Sequence, residues 1–286
     1  MRVLVTNDDG IESEGIHVLA RALAATDHEV MVVAPDRDWS GAGAALGALH
    51  SDDELAVRRV EIPLAPDIEA WSLEGPPALC VVAGRLGAFG APPDLVVSGI
   101  NAGLNTGRSV LHSGTVGAAL AAQNFGISGL AVSVGGSDPW QWESAATLAV
   151  ELLDLVIRAP SRSVLNLNVP ALPRSEIRGV RWARLAPFGA VRAAITASRD
   201  ESLQFELHPT GQMPAADTDQ GIVDSGWAAL TTLVGVTEAW PDEAGLTAEP
   251  PRIGIELVPG AELHEVHTVP DASAPASLRR PLHQSQ

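Results

Sequence analysis

Asp8 and Asp9 stand side by side at the end of an apolar run, Val3 to Thr6, and Gly10 follows them. Adjacent carboxylates raise each other's pKa, because each charge disfavours ionisation of the other. A divalent cation removes that cost, and hard ions such as Mg2+ or Mn2+ prefer carboxylate oxygen. The alternative is that one aspartate caps the next helix while the other faces water. Further candidates recur downstream. Ser40 and Gly41 end the stretch from Pro35 to Trp39, where a hydroxyl can complete a coordination sphere or simply stabilise a loop. Asn101 and Asn105 lie in the glycine-rich stretch from Ser98 to Gly107. Asparagine offers an amide oxygen to a metal and an NH2 group to a phosphate, and the same stretch also reads as an irregular turn. Ser113, Gly114 and Thr115 open a run of small residues that reads as a helix start. Its free N–H groups and dipole suit an anion, although small residues also serve close helix–sheet packing. No lysine follows, so this is not a Walker loop. His112 just before it either touches a phosphate, acts as an acid, or is merely exposed.

Elements that would position these groups are legible in the pattern. Val3–Thr6, residues 29–34, 94–98, 130–134 and 164–169 read as buried strands, and residues 14–25, 113–123 and 140–157 as helices between them. Near-continuous apolar strands alternating with helices imply a parallel sheet covered on both faces. Right-handed crossovers then give a doubly wound, three-layer α/β architecture. Ligands of such sheets bind outside the carboxyl ends of the strands. The segments after Thr6, after Ala34 and after Ser98 all fall at that edge.

Residues 55–62 and 69–73 read as a side hairpin, and residues 203–207 and 228–233 as strands of a β-rich second half that packs on a partner subunit or caps the site. The division expected is a core over 1–180, a β-rich oligomerisation region over 181–269, and a disordered tail over 270–286, rich in Pro, Ala and Ser.

Composition narrows the function classes. The 286 residues carry a formal net charge of -17, with 35 acidic residues against 18 basic ones, and every basic residue is arginine. An excess of acid argues against a nucleic-acid partner, which requires a basic face. It leaves room for a small phosphate ester whose charge a metal ion neutralises. No stretch reaches the 18 or so uncharged apolar residues that span a bilayer. The single cysteine, Cys80, sits in an apolar helical stretch and reads as a core thiol. Met1 to Thr6 enters a strand without the apolar run or cleavage site of a signal peptide, so the expected location is the cytoplasm.

Four stretches in order together resemble the SurE family of survival-protein nucleotidases. They are residues 5–11 (Val-Thr-Asn-Asp-Asp-Gly-Ile), 33–37 with Ser40-Gly41, 94–101 (Asp-Leu-Val-Val-Ser-Gly-Ile-Asn), and 113–119 (Ser-Gly-Thr-Val-Gly-Ala-Ala). Weaker echoes lie at 75–81, 166–170 and 217–219, and the resemblance spans about residues 1 to 235. It implies a Rossmann-like core with a C-terminal extension exchanged between subunits of a homodimer or homotetramer. It implies a divalent-metal phosphatase acting on nucleoside 5′- and 3′-monophosphates, with one Mg2+ or Mn2+ per subunit. By the family's pattern Asp8, Asp9, Ser40 and Asn101 correspond to the metal ligands, the aspartates being catalytic as well. Asn7, Asn105, Ser113, Gly114 and Thr115 correspond to the phosphate side. Three departures concern substrate choice rather than the ligands: Ala42-Gly43-Ala44-Ala45 after Gly41, Leu79 before the cysteine, and His112 before Ser113.

The chemistry implied is in-line attack of water on phosphorus, and the residues alone do not decide whether an aspartate acts as base or nucleophile. Two other readings of the same resemblance stay open: a nucleotide-binding or regulatory protein with weak or no turnover, and a phosphatase for a different small phosphate ester. A receiver domain is disfavoured because the chain has no lysine. A haloacid-dehalogenase-type phosphatase is disfavoured because the first strand ends in adjacent aspartates rather than Asp-x-Asp.

Overall fold

Alternate residues of the first strand, β1 (Arg2–Thr6), face opposite layers, and Val3, Leu4 and Val5 are all wholly buried. A strand apolar on both faces needs cover on both, which is why helices flank it. The computed structural model describes residues 1–47, 49–50, 54–187, 191–199, 202–209 and 213–237. Its next elements are α1 (Glu14–Ala24), β2 (Glu29–Pro35), β3 (Val57–Ile62), β4 (Ala65–Leu73), α2 (Pro77–Arg85) and β5 (Leu95–Ala102). A short 3-10 helix (Gly107–His112) leads to α3 (Gly114–Asn124), β6 (Ser128–Val134), α4 (Trp142–Arg158) and β7 (Val164–Val169). Then come β8 (Val180–Trp182), β9 (Val191–Arg199), β10 (Ser202–Pro209), α5 (Asp219–Asp224) and β11 (Ala228–Leu233).

Nine strands form one sheet in the order β3-β4-β2-β1-β5-β6-β7-β11-β8. The six strands from β4 to β7 run parallel. On one face Val3, Val5 and Val97 pack with Ile16, Leu19 and Leu23 of α1 and Leu148 and Leu153 of α4. On the other, Leu4, Met31 and Val96 pack with Leu79 and Cys80 of α2 and Ala118 and Ala122 of α3. Burying each such Leu, Val or Ile contributes about 1.5–3 kcal/mol, and this apolar sandwich is what holds the layers together. The three-layer, mostly parallel Rossmann-like architecture is the one the sequence implies. Strand order reverses between β1 and β5, so the crevice outside their carboxyl ends is the expected ligand position.

Two expectations change. The hairpin β3–β4 is not a side feature, because β4 lies parallel to β2 and extends the main sheet. Beyond residue 180, β11 pairs antiparallel with β7, and β8 pairs with β11. A boundary at 180 therefore cuts through the sheet: Ala228, Ala229 and Leu230 are as buried as any core strand and find cover only there. Residues 1–237 form one compact unit. Among the described residues only β9 and β10 make a separate ladder, an antiparallel pair. The expected tail, 270–286, and residues 238–269 of the expected extension lie outside the described residues. No helix among the described residues is long and apolar enough to cross a membrane.

Candidate active site

The turn after β1 is built by Asn7. Its amide Nδ2 donates to the Gly10 carbonyl at 3.0 Å and to Ser13 Oγ at 2.6 Å, and the residue is fully buried. Gly10 adopts φ +93°, and a Cβ there would lie 3.1 Å from the Arg37 backbone, so the loop after β2 closes directly over it. The Asn7 amide nitrogen thus shapes the loop that aims the two aspartates, and its Oδ1 has no protein partner.

Asp8 is only 3% exposed. Its Oδ2 accepts from the Gly114 amide at 3.0 Å and its Oδ1 from the Thr115 hydroxyl at 2.5 Å. The anion seated at the start of α3 is therefore this carboxylate itself. Burial pushes the Asp8 carboxyl up, and the Thr115 hydroxyl and the Gly114 and Thr115 amides oppose that shift. Asn101 is turned by its Nδ2, which donates to the Gly103 carbonyl at 2.7 Å, so that its Oδ1 comes within 3.4 Å of Thr115 Oγ1. The one hydroxyl proton of Thr115 is committed to Asp8. Asn101 Oδ1 thus joins Asp8 as a second oxygen acceptor at this spot.

Asp9 is half-buried, and its carboxyl is pushed up to about 6, first by burial and then by the charges of Asp8 and Asp38, with the Ala102 amide opposing. Ser40 lies on the same rim: the Trp39 amide donates to the Asp8 carbonyl at 2.8 Å, and Ser40 N and Oγ donate to Asp38 Oδ1 at 2.7 and 2.6 Å. Among the described residues no arginine or histidine pairs with Asp8, Asp9 or Asp38. Arg37 instead pairs with Asp36 at 3.3 Å and lies over the Trp39 ring. No group of three or more His, Cys, Asp or Glu among the described residues is arranged to hold a metal. The donor set here is different in kind, two carboxylates with amide and hydroxyl oxygens beside them. An all-oxygen set carrying uncompensated negative charge fits a hard divalent cation.

The remaining candidates sit close by in the fold but do different work. Ser113 caps α3, its Oγ accepting from the Val116 amide at 3.1 Å, which leaves its own proton to donate. His112 is exposed, and its carbonyl accepts from the Gly43 amide at 3.2 Å. Asn105 is anchored on all sides. Its backbone N–H donates to Asn168 Oδ1 at 2.8 Å, its carbonyl accepts from Asn166 and Asn168 Nδ2 at 2.9 Å each, and its Nδ2 donates to Ser133 Oγ at 2.8 Å. Two residues on, the Gly107 amide donates to Asp219 Oδ2 at 2.7 Å, and Asp219 Oδ1 accepts from the Ala186 and Gln220 amides.

Asp38, Ser133, Asn166, Asn168 and Asp219 were not singled out as site residues by the sequence. The last three stand in the weaker echoes, where alternate asparagines on a strand that should be apolar on both faces are the one visible signal.

Comparison with known proteins places this geometry in company. A family model described as survival protein SurE matches residues 3–189. A 5′/3′-nucleotidase SurE of Cronobacter sakazakii is 40% identical over 238 residues, covering 82% of this chain and 90% of that protein. A 5′-nucleotidase SurE of Synechococcus sp. is 42% identical over 189 residues, covering 65% of this chain and 72% of the relative. Among solved structures, the SurE protein from Aquifex aeolicus superposes with a TM-score of 0.68 at 31% identity, covering 82% of this chain and 93% of that one.

Proposed function

The chain belongs to the SurE family, and from that premise we propose that it is a nucleoside monophosphate phosphatase working with one divalent cation, Mg2+ or Mn2+, per subunit. The observation that carries the metal is the meeting of Asp8, Asp9 and the Asn101 amide oxygen at the switch point of the sheet, with no positive side chain among the described residues paired to them. Asp8, Asp9, Ser40 and Asn101 would hold the ion. Bound there, it supplies polarisation of a phosphoryl oxygen and an ionised water at neutral pH.

The protein's own groups do the positioning. Gly114 and Thr115 hold Asp8 in one orientation, so a buried carboxylate keeps its place with both oxygens engaged. The Ala102 amide steadies Asp9. Because the start of α3 already carries Asp8, the phosphate is left the Ser113 proton and the second N–H of the Asn105 amide as donors. These stabilise charge that develops on the equatorial oxygens during in-line attack. Asp9, whose carboxylate is not held by the start of α3 as that of Asp8 is, is the candidate for taking a proton from the attacking water. The reading extends to a cytoplasmic homodimer or homotetramer, which light scattering would resolve.

A phosphate-release panel tests the function: nucleoside 5′- and 3′-monophosphates, sugar phosphates and polyphosphate, each with Mg2+, Mn2+ or EDTA. Turnover of the monophosphates that EDTA abolishes is expected. Asp9→Asn should remove metal-dependent hydrolysis in a folded protein, and wild-type turnover in that variant would overturn the assignment.

A further inference from the structure

Asn101, Ser133 and Asn168 occupy one transverse row of the sheet. Asn101 of β5 is the register partner of Ser133 of β6, and Ser133 is the register partner of Asn168 of β7. In-register neighbours on parallel strands share a face, and Thr115 near Asn101 identifies it as the α3 face. The row therefore runs from a metal-ligand candidate, through a serine, to a buried asparagine at the third strand.

Asparagine is an unusual choice for a wholly buried strand position, since an amide out of water costs free energy unless all its groups are paired. Asn168 is 0% exposed, and its side chain pairs with the N–H and C=O of one residue, Asn105, 63 positions away. This two-point clasp fixes the position and orientation of the Asn105 backbone, holding the peptide units on both sides of its Cα. Ser133 completes the orientation by taking one of the two hydrogens on Asn105 Nδ2. With one hydrogen bound, the planar amide has its second hydrogen and its Oδ1 set in direction. A donor pre-set in this way loses no rotamer freedom when an anion arrives.

We propose that Asn168, with Ser133, is a positioning pair for phosphate binding, acting through Asn105. The inference rests on the phosphatase reading above for the identity of the substrate and for Asn105 as one of its phosphate donors. It assigns to a buried strand residue the task of orienting a substrate-side donor, and it separates that task from the metal ligands.

The experiment uses the full chain and two readouts: steady-state hydrolysis of AMP with Mn2+, and the Kd of inorganic phosphate with Mn2+ present. Asn168→Ala should raise KM and the phosphate Kd by about tenfold, the loss of one well-made hydrogen bond to a charged group, with kcat within about threefold. Asn168→Asp should do no better, since a carboxylate accepts from the Asn105 N–H but cannot donate to its carbonyl. Ser133→Ala should give part of the effect and Ser133→Thr restore it. The decisive arm is the double variant with Asn105→Ala. With that side chain gone, Asn168→Ala should change KM and Kd no further, whereas a merely structural role gives additive losses. Unchanged KM and phosphate Kd in folded Asn168→Ala, or additivity with Asn105→Ala, would overturn the proposal. Should the wild type bind phosphate but turn over no nucleotide, the nucleotidase reading fails while the phosphate Kd still decides this one.

Discussion

The Asp8 carboxylate and the Gly114 amide lie 3.0 Å apart across 106 residues of sequence, and no side chain fits between them. A Cβ at position 114 would fall 2.6 Å from Asp8 Cβ and 2.7 Å from its Oδ2. Glycine is needed there for close approach rather than for backbone freedom. Gly114→Ala should therefore push Asp8 off the helix start. The expected result is a drop of about a hundredfold or more in Mn2+-dependent kcat/KM, with an overpacking cost of about 1–3 kcal/mol in urea unfolding. A Gly114→Ala protein with wild-type turnover would show that Asp8 need not sit on α3.

Thr115 tests the same contact from its other oxygen. Thr115→Val keeps the shape of the side chain and removes the hydroxyl that donates to Asp8 Oδ1. A hydrogen bond to a charged group contributes about 1.5–3 kcal/mol, so Mn2+ affinity should weaken by about 10- to 100-fold. Thr115→Ser keeps the donor and should stay within about threefold of wild type. Calorimetric Mn2+ titration of the three proteins reads this directly, and equal affinities for Val and Thr at 115 would sink the idea.

Asp9 predicts a pH dependence of the metal-free protein. Its carboxyl is raised from an ordinary 3.8 to about 6 in the folded chain. A group with a raised folded pKa favours folding in its protonated form. Its stabilising effect is complete below the unfolded pKa and is lost as pH rises through the folded one. In EDTA the wild type should thus lose about 1–3 kcal/mol relative to Asp9→Asn between pH 4 and pH 7. Saturating Mn2+ should reverse the ranking at pH 7 by compensating the charge. Parallel urea titrations at the two pH values check both signs.

Much of this fold and part of the candidate site are readable from residues alone, for a physical reason. Val3-Leu4-Val5 and its counterparts announce buried parallel strands because every position is apolar. Asp8-Asp9 marks a candidate site because the pair is costly where the chain turns, and it is the company of Ser40, Asn101 and the helix start at Ser113 that favours a metal over a helix cap. What stays hidden depends on contacts distant in sequence. Nothing local says that the helix start at Ser113 is filled by Asp8, or that the Asn168 amide faces Asn105. Strand β8 is three residues long, with Trp182 61% exposed, so it has no periodicity to detect. Strand β11 is apolar enough to be seen, but its place beside β7 follows only from the burial that the sheet offers it.

Gly117 gives a prediction whose sign runs against helix propensity. It lies in the first turns of α3, where Gly→Ala normally stabilises by about 1 kcal/mol. Here a Cβ would meet the Gly43 carbonyl oxygen at 2.2 Å and its carbon at 2.4 Å. The loop bearing Ser40 runs straight into that contact, tied to the 3-10 helix by the Gly43 amide on the His112 carbonyl. Backbone cannot give way as a flexible side chain would, so the loop must lift and carry Ser40 from the rim. Gly117→Ala should lower stability by about 1–3 kcal/mol and raise the Mn2+ concentration needed for half-maximal hydrolysis, while Gln123→Ala, further along the same helix, should leave that concentration unchanged. Thermal unfolding and a Mn2+ activation curve on the two variants measure both effects. If Gly117→Ala proves more stable than wild type with normal metal activation, the helix and the Ser40 loop are not in contact as described.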